Sequence, residues 1–477
     1  MNYKVVLSIL GKTLVLEALL LIFPMFVGII YQENNFLAFL IPILALLVVG
    51  IPLTFLKSKD NSLYAKEGFV IVSLTWILMS LFGALPFVIS GEIPNYIDAV
   101  FETVSGFTTT GASILTGSQI ESMSKGLMFW RMFTHWIGGM GVLVFVLAIM
   151  PANNAGVMHV FRSEAPGPTA NKLASKLKFT ARILYGIYIA LTLLEIIFLL
   201  FGGFNLFESL TMSFSTAGTG GFSFKGDSAA SFSSYIQVVI SVFMFLFSLN
   251  FNVYYLLLIG NFSKAFSMEE VKTFFIIVVV ATISVALNLF FTTANGFSNF
   301  GEALKHAFFQ VTAISSTTGL TSTDFTLWPT LSIGILLFLT VMGACGGSTG
   351  GGLKVSRLML LLKSSSSDFK KLIHPHAVIT TTFDGEPVDT QTERNVRTYF
   401  IVWVTIVAVS TLLLSIFNNT DVFTNFLSTL SSIGNVGPWI QTNSYVSKIL
   451  LSLVMLIGRL EIFPMLFLFI PSTWKKG

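Results

Sequence analysis

The chain alternates long apolar stretches with short polar connections, and the apolar stretches have the length of membrane spans. About 20 apolar residues in a helix cover the ~30 Å hydrocarbon core of a bilayer. Two such stretches open the chain, near Val5–Ile30 and Leu37–Leu56. Eight more are expected near Phe69–Ile89, Gly126–Met150, Ala181–Phe201, Tyr235–Ile259, Val271–Phe291, Leu331–Leu362, Tyr399–Ile416 and Ser447–Ile470. The Leu331–Leu362 stretch is too long and too rich in glycine to be one regular helix.

Composition supports the membrane reading and adds little else. The chain is 54% hydrophobic and 10% charged, with mean hydropathy +0.82, against about 25% charged residues in soluble domains. A lone Cys345 excludes an intramolecular disulfide or a cysteine metal cluster. The opening Met-Asn-Tyr-Lys leads into an apolar helix without a small-residue cleavage site, so the first span is expected to be retained. With a cytoplasmic N-terminus, most Lys and Arg fall on inside connections, while the outside ones hold only Lys125, Arg131, Lys225, Lys305 and Lys448. This asymmetry orients the protein with both termini cytoplasmic.

The outside connections are moderately apolar, too short to cross, and each reaches a glycine preceded by hydroxyl residues. Non-helical backbone at membrane depth survives only where protein or a water-filled cavity surrounds it, so re-entrant half-helices are expected. Four segments align on one glycine: Thr108-Thr109-Thr110-Gly111, Ser215-Thr216-Ala217-Gly218, Ser316-Thr317-Thr318-Gly319 and Ser431-Ser432-Ile433-Gly434. Half-helices are expected before them at Ala99–Phe107, Leu206–Phe214, Ala303–Ile314 and Val422–Leu430. The repeating unit is span, half-helix, glycine-centred turn, span. One Ser/Thr-x-Gly usually marks close helix packing; four in register with the spans suit cation dehydration by inward-pointing backbone carbonyls.

The expected fold is an all-α polytopic membrane protein with two N-terminal spans (1–66) and four pore repeats (67–165, 166–265, 266–372 and 373–477). These motifs resemble the Trk/Ktr/HKT superfamily of potassium transporters over nearly the whole chain, and the two leading spans are similar to those of its Trk-type subunits. The resemblance implies potassium uptake across the bacterial cytoplasmic (inner) membrane. Potassium is then the substrate. It would be held by carbonyls of Thr109 and Thr110, Thr216 and Ala217, Thr317 and Thr318, and Ser432 and Ile433, with Gly111, Gly218, Gly319 and Gly434 as the filter glycines. Sodium-selective plant members carry Ser at the first filter glycine, so glycine in all four repeats implies potassium preference.

The run Gly343–Lys354 resembles the family's intramembrane loop, which implies a gate at Gly346, Gly347, Gly350, Gly351 and Gly352. Gly458-Arg459-Leu460-Glu461 resembles the segment whose Arg faces the pore beside that loop. Arg459 at membrane depth needs a cavity or partner; pairing with Glu461 or a nearby carboxylate is the packing alternative. The resemblance also implies a homodimer and cytoplasmic nucleotide-binding regulatory subunits of the TrkA type, no nucleic-acid partner, no covalently bound cofactor, and nucleotide acting only through the partner.

Other signals are weaker. Gly347-x4-Gly352 precedes Leu353-Lys354-Val355 and lacks the Lys-Ser/Thr of a phosphate loop. Glu102 and Glu208, each after Phe, are expected to anchor half-helices through backbone N–H groups. His135–Gly141 reads as tight helix packing, and His374-Pro375-His376 as a solvated turn. A sodium- or proton-coupled cation symporter is the rival function, although such proteins favour inverted or paired repeats and midplane carboxylates. A membrane enzyme would need a nucleophile, base or metal cluster that the connections do not show.

Overall fold

The computed structural model describes residues 1–56, 65–141, 177–292, 297, 299–377, 379–442 and 444–474. Among the described residues, six helices are long and apolar enough to cross a bilayer: Tyr3–Ile30, Phe36–Thr54, Lys66–Ser90, Ala181–Phe201, Glu269–Phe291 and Thr390–Phe417. Large apolar side chains such as Val48, Ile276 and Leu412 point outward from them, as expected where lipid is the solvent. The first two helices lie so close that a Cβ on Gly11 would sit 2.7 Å from the Gly50 carbonyl oxygen, a small-residue contact that lets backbones approach.

The other expected spans are not single described helices. Gly126–Met150 begins as Lys125–Gly139, and its end falls outside the described residues. The glycine-rich stretch breaks as expected, into Thr330–Met342 and Val355–Ile373.

Two spans expected to be continuous are broken. Tyr235–Ile259 is two helices, Ser234–Ser248 and Phe251–Leu258, bent by 87°. Its helical ladder gives way to bonds with the glycine-rich loop: Cys345 N–H donates to the Ser248 carbonyl (3.2 Å) and Phe251 N–H to the Gly347 carbonyl (3.1 Å). The last span stops at Arg459 and restarts at Phe463, with Glu461 and Ile462 at φ 57° and 67°. Pro464, which has no N–H to donate, sits in the first turn of the new helix, where none is needed.

Between the spans lie four half-helices, Tyr96–Phe107, Leu206–Ala217, Phe300–Ser315 and Val422–Gly434. Each starts on an Asn or Asp whose side-chain oxygen accepts a backbone N–H: Asn95 from Ile97 (2.9 Å), Asn205 from Glu208 (2.9 Å), Asn299 from Glu302 (2.8 Å) and Asp421 from Thr424 (3.0 Å). Such caps satisfy donors that a helix start leaves free. The C-terminal half of each is buried.

A hairpin not expected from the sequence pairs Thr382–Phe383 with Glu386–Pro387, turned by Asp384 and Gly385 at φ 52° and 78°. The repeat boundary at 165/166 lies outside the described residues.

Candidate functional site: a ring of four strands and the loop against it

Every half-helix ends in the same backbone device. The N–H of Thr109, Thr219, Thr317 and Asn435 returns to the carbonyl three residues earlier, at 3.1, 2.9, 3.0 and 3.2 Å. The next N–H, of Thr110, Gly220, Thr318 and Val436, reaches the carbonyl five residues earlier, at 2.9, 2.8, 2.8 and 3.0 Å. Thr109, Thr219, Thr317 and Asn435 take φ of 54°, 54°, 63° and 52°, a left-handed conformation uncommon outside glycine.

Two residues further on, Gly111, Gly221, Gly319 and Gly437 have φ of 76°, 87°, 77° and 93°. Each faces the next strand so closely that no side chain fits. A Cβ at Gly111 would lie 2.0 Å from the Gly220 carbonyl oxygen, at Gly221 1.9 Å from that of Thr318, at Gly319 1.9 Å from that of Val436, and at Gly437 2.2 Å from that of Thr110. The sequence of contacts runs from strand one to two, three, four and back to one. The ring closes.

This geometry corrects the alignment in two repeats. Gly111 and Gly319 occupy the ring position; Gly218 and Gly434 do not. Gly218 caps its half-helix at φ −69°, and Gly434 is the last helical residue of its own. The half-helices extend three or four residues past their expected ends, Phe214 and Leu430. Thr216, Ala217, Ser432 and Ile433 are therefore helical, and the Thr216 and Ser432 carbonyls are taken by the N–H groups of Thr219 and Asn435. The ring positions are Thr219-Gly220-Gly221 and Asn435-Val436-Gly437, residues the sequence reading missed. True separations are 221−111 = 110, 319−221 = 98 and 437−319 = 118.

The glycine-rich loop lies against the inner ends of half-helices three and four. Gly351 N–H donates to Thr317 Oγ1 (2.7 Å); a Cβ at Gly350 would lie 2.7 Å from the Ser316 carbonyl oxygen, and one at Gly351 2.6 Å from that of Gly434. Glu270 ties both ends of the loop, since its Oε1 accepts the N–H groups of Gly346 (2.6 Å) and Ser356 (3.0 Å). Lys354 donates to the Gly350 carbonyl, and Thr349 Oγ1 to that of Phe247 (3.1 Å).

Arg459 ends its helix against this loop. Its guanidinium donates to the carbonyls of Thr349 (2.8 Å), Gly139 (2.9 Å) and Gly138, so it joins the loop to the first repeat. Glu461, two residues on, bonds Arg357, whose guanidinium lies 4.2 Å from the Tyr399 ring centroid. Glu208 does return to its own half-helix, accepting from Asn205 N–H (3.0 Å). Glu102 accepts from Ile114 N–H (3.1 Å), on the segment leaving strand one. His374 and His376 are exposed, and the described residues hold no group of three metal-binding side chains.

Fold and ring together define a class: a membrane protein in which four tandem repeats bring four glycine-bearing strands into one closed ring. Residues 34–476 match the sequence profile of TrkH, described as cation transport protein. The chain is 34% identical to the Trk system potassium uptake protein TrkH of Escherichia coli K12 and 30% identical to that of Halomonas elongata, with full coverage of both chains in each case. The crystal structure of the potassium transporter TrkH from Vibrio parahaemolyticus superposes with a TM-score of 0.89 at 30% identity, again over both whole chains. The chain belongs to the TrkH family of cation transport proteins.

Proposed function

We propose that this protein takes up potassium across the bacterial cytoplasmic membrane as the ion-translocating subunit of a Trk-type system. The carrying observation is the closed ring, in which carbonyls of Thr110, Gly220, Thr318 and Val436 each meet a side-chain-free glycine of the neighbouring strand. Such a ring replaces the water that potassium sheds on entry. The four half-helices add partial negative charge from their C-terminal ends. Thr109, Thr219, Thr317 and Asn435 stand immediately before these carbonyls in their strands.

Glycines 346, 347, 350, 351 and 352 and Arg459 form the gate in this reading, because the loop bonds a strand residue on one side and Arg459 on the other. A homodimer and TrkA-type cytoplasmic regulators, through which nucleotide would act, complete the system. Purified protein in vesicles under a potassium gradient alone should accumulate tracer rubidium. Uptake that appears only with an added sodium or proton gradient would instead mean coupled symport.

Glu270 gives a further expected outcome. Glu270→Ala leaves two buried loop N–H groups without an acceptor, at roughly 1–3 kcal/mol each. Basal rubidium uptake should therefore rise severalfold with the potassium-to-sodium ratio unchanged, and Glu270→Gln should fall between. Parent-like uptake in both variants would remove Glu270 from the gate.

A further inference from the structure

The second span of repeat one carries two buried polar side chains, one turn apart, that the ion path itself does not use. Arg131 is 2% exposed and His135 0%. Arg131 Nε donates to Glu102 Oε1 (2.7 Å), its Nη1 to the Ser223 carbonyl (3.1 Å), and its guanidinium carbon lies 3.5 Å from the Phe222 ring centroid. Glu102 in turn accepts from Ser113 Oγ (2.9 Å) and Ile114 N–H (3.1 Å). The pair thus connects the segment leaving strand one to the segment leaving strand two.

His135 closes the same seam one turn further along. Its Nδ1 is 2.7 Å from the Gly106 carbonyl oxygen, and its Nε2 accepts the Phe222 N–H (3.3 Å). A carbonyl can only accept, so these contacts put the ring proton on Nδ1. The imidazole lies flat against strand two: a Cβ on Gly220 would meet it at 2.1 Å. Gly138 lets the helix come this close, since a Cβ there would strike the Phe107 carbonyl at 1.9 Å.

The other seams are joined differently. Strands two and three share Ala229 N–H to the Thr321 carbonyl (2.9 Å). Strands three and four meet through the edge-to-face rings of Phe325 and Trp439 (4.8 Å). Strands four and one share Asn435 Nδ2 to Thr110 Oγ1 (3.0 Å).

We propose that Arg131 and His135 are positioning residues for ion selectivity, holding strand two at the distance from strand one that sets the Thr110 and Gly220 carbonyls around the ion. This rests on the filter reading above. The planar fork of Arg131 fixes direction as well as distance, which a lysine cannot do. Neither side chain touches the ion; both act through the backbone of residues 220–223.

The test is the potassium-to-sodium permeability ratio of the full-length protein in planar bilayers. The double variant Arg131→Leu with Glu102→Leu removes both charges and leaves no buried charge unpaired. It should still conduct, with a ratio lowered roughly tenfold, the scale of one lost charge-assisted hydrogen bond. His135→Leu should lower the ratio in the same direction, and Arg131→Lys should fall between. Phe222→Leu removes only the ring under the guanidinium; it should lower the ratio less, and it carries the test if the double variant does not assemble. Gly221→Ser serves as the filter control. Loss of selectivity in Gly221→Ser with a parent ratio in the brace variants overturns the positioning role and leaves the filter intact. A parent ratio in Gly221→Ser as well overturns the filter reading itself.

Discussion

Gly437→Ser should collapse the preference for potassium over sodium, while Gly434→Ala, three residues earlier, should leave most of it. Gly437 stands at φ 93°, and a Cβ there would lie 2.2 Å from the Thr110 carbonyl oxygen. Left-handed backbone costs an L-residue about 1–2 kcal/mol, and the carbonyl must also leave the ring to make room. Gly434 is the last residue of a helix, and the nearest atoms to its Cβ, the Thr340 oxygen and Val436 Cγ2, are both 3.3 Å away. A shift of a few tenths of an ångström accommodates alanine. Reversal potentials under mixed potassium and sodium gradients read the difference directly. Intact selectivity in Gly437→Ser with loss in Gly434→Ala would restore the alignment read from the sequence and overturn the structural register.

Arg459→Gln should increase ion flux and shorten closed periods at unchanged selectivity. Two physical effects point the same way. The guanidinium holds the loop through the Thr349 carbonyl and the first repeat through Gly138 and Gly139, so its removal frees one side of the loop. It is also a fixed cation. At an effective dielectric of ~20, a unit charge ~8 Å from a permeating ion repels it by ~2 kcal/mol, roughly thirtyfold in rate. Arg459→Lys keeps the charge and loses the fork, and should stay closer to the parent. Unitary currents and closed-time distributions measure both effects. A neutral variant that assembles normally and conducts less than the parent would make Arg459 a structural tie rather than a barrier.

The spans, the repeat and the break in the third repeat were legible because each rests on local composition. Apolar runs of this length have few other uses, and Gly343–Gly352 cannot sustain a helix when each glycine costs ~1 kcal/mol against alanine. The ring register was legible in only two repeats, because repeat two contains the hydroxyl-and-glycine pattern twice and repeat four carries it only in the half-helix, ahead of a ring triplet without a hydroxyl. Ser215–Gly218 precedes Thr219-Gly220-Gly221, and Ser431–Gly434 precedes Asn435-Val436-Gly437.

Counting from the helix caps, with repeat one as the guide, would have chosen correctly in repeats two and four. The left-handed residue follows its cap by 109−95 = 14, 219−205 = 14 and 435−421 = 14 residues, and by 317−299 = 18 in repeat three. The excess of four is about one helical turn.

The remaining features are tertiary. The 87° bend at Ser248–Phe251 exists because the loop of another repeat takes over its backbone bonds. Arg131 reads as one more charge of an outside connection until Glu102, Phe222 and Ser223 are seen around it. Arg459 was legible as a charge at depth, but its partners were not.

The central claim is that potassium crosses passively through one ring of backbone carbonyls. The most direct measurement is the reversal potential of the purified full-length protein in a planar bilayer, with potassium chloride on one side, sodium chloride on the other, and equal pH. The ring predicts a steady current that reverses well toward the potassium equilibrium potential, and a shift toward zero in Gly437→Ser. A parent reversal potential near zero, or no current until a proton gradient is imposed, would contradict it.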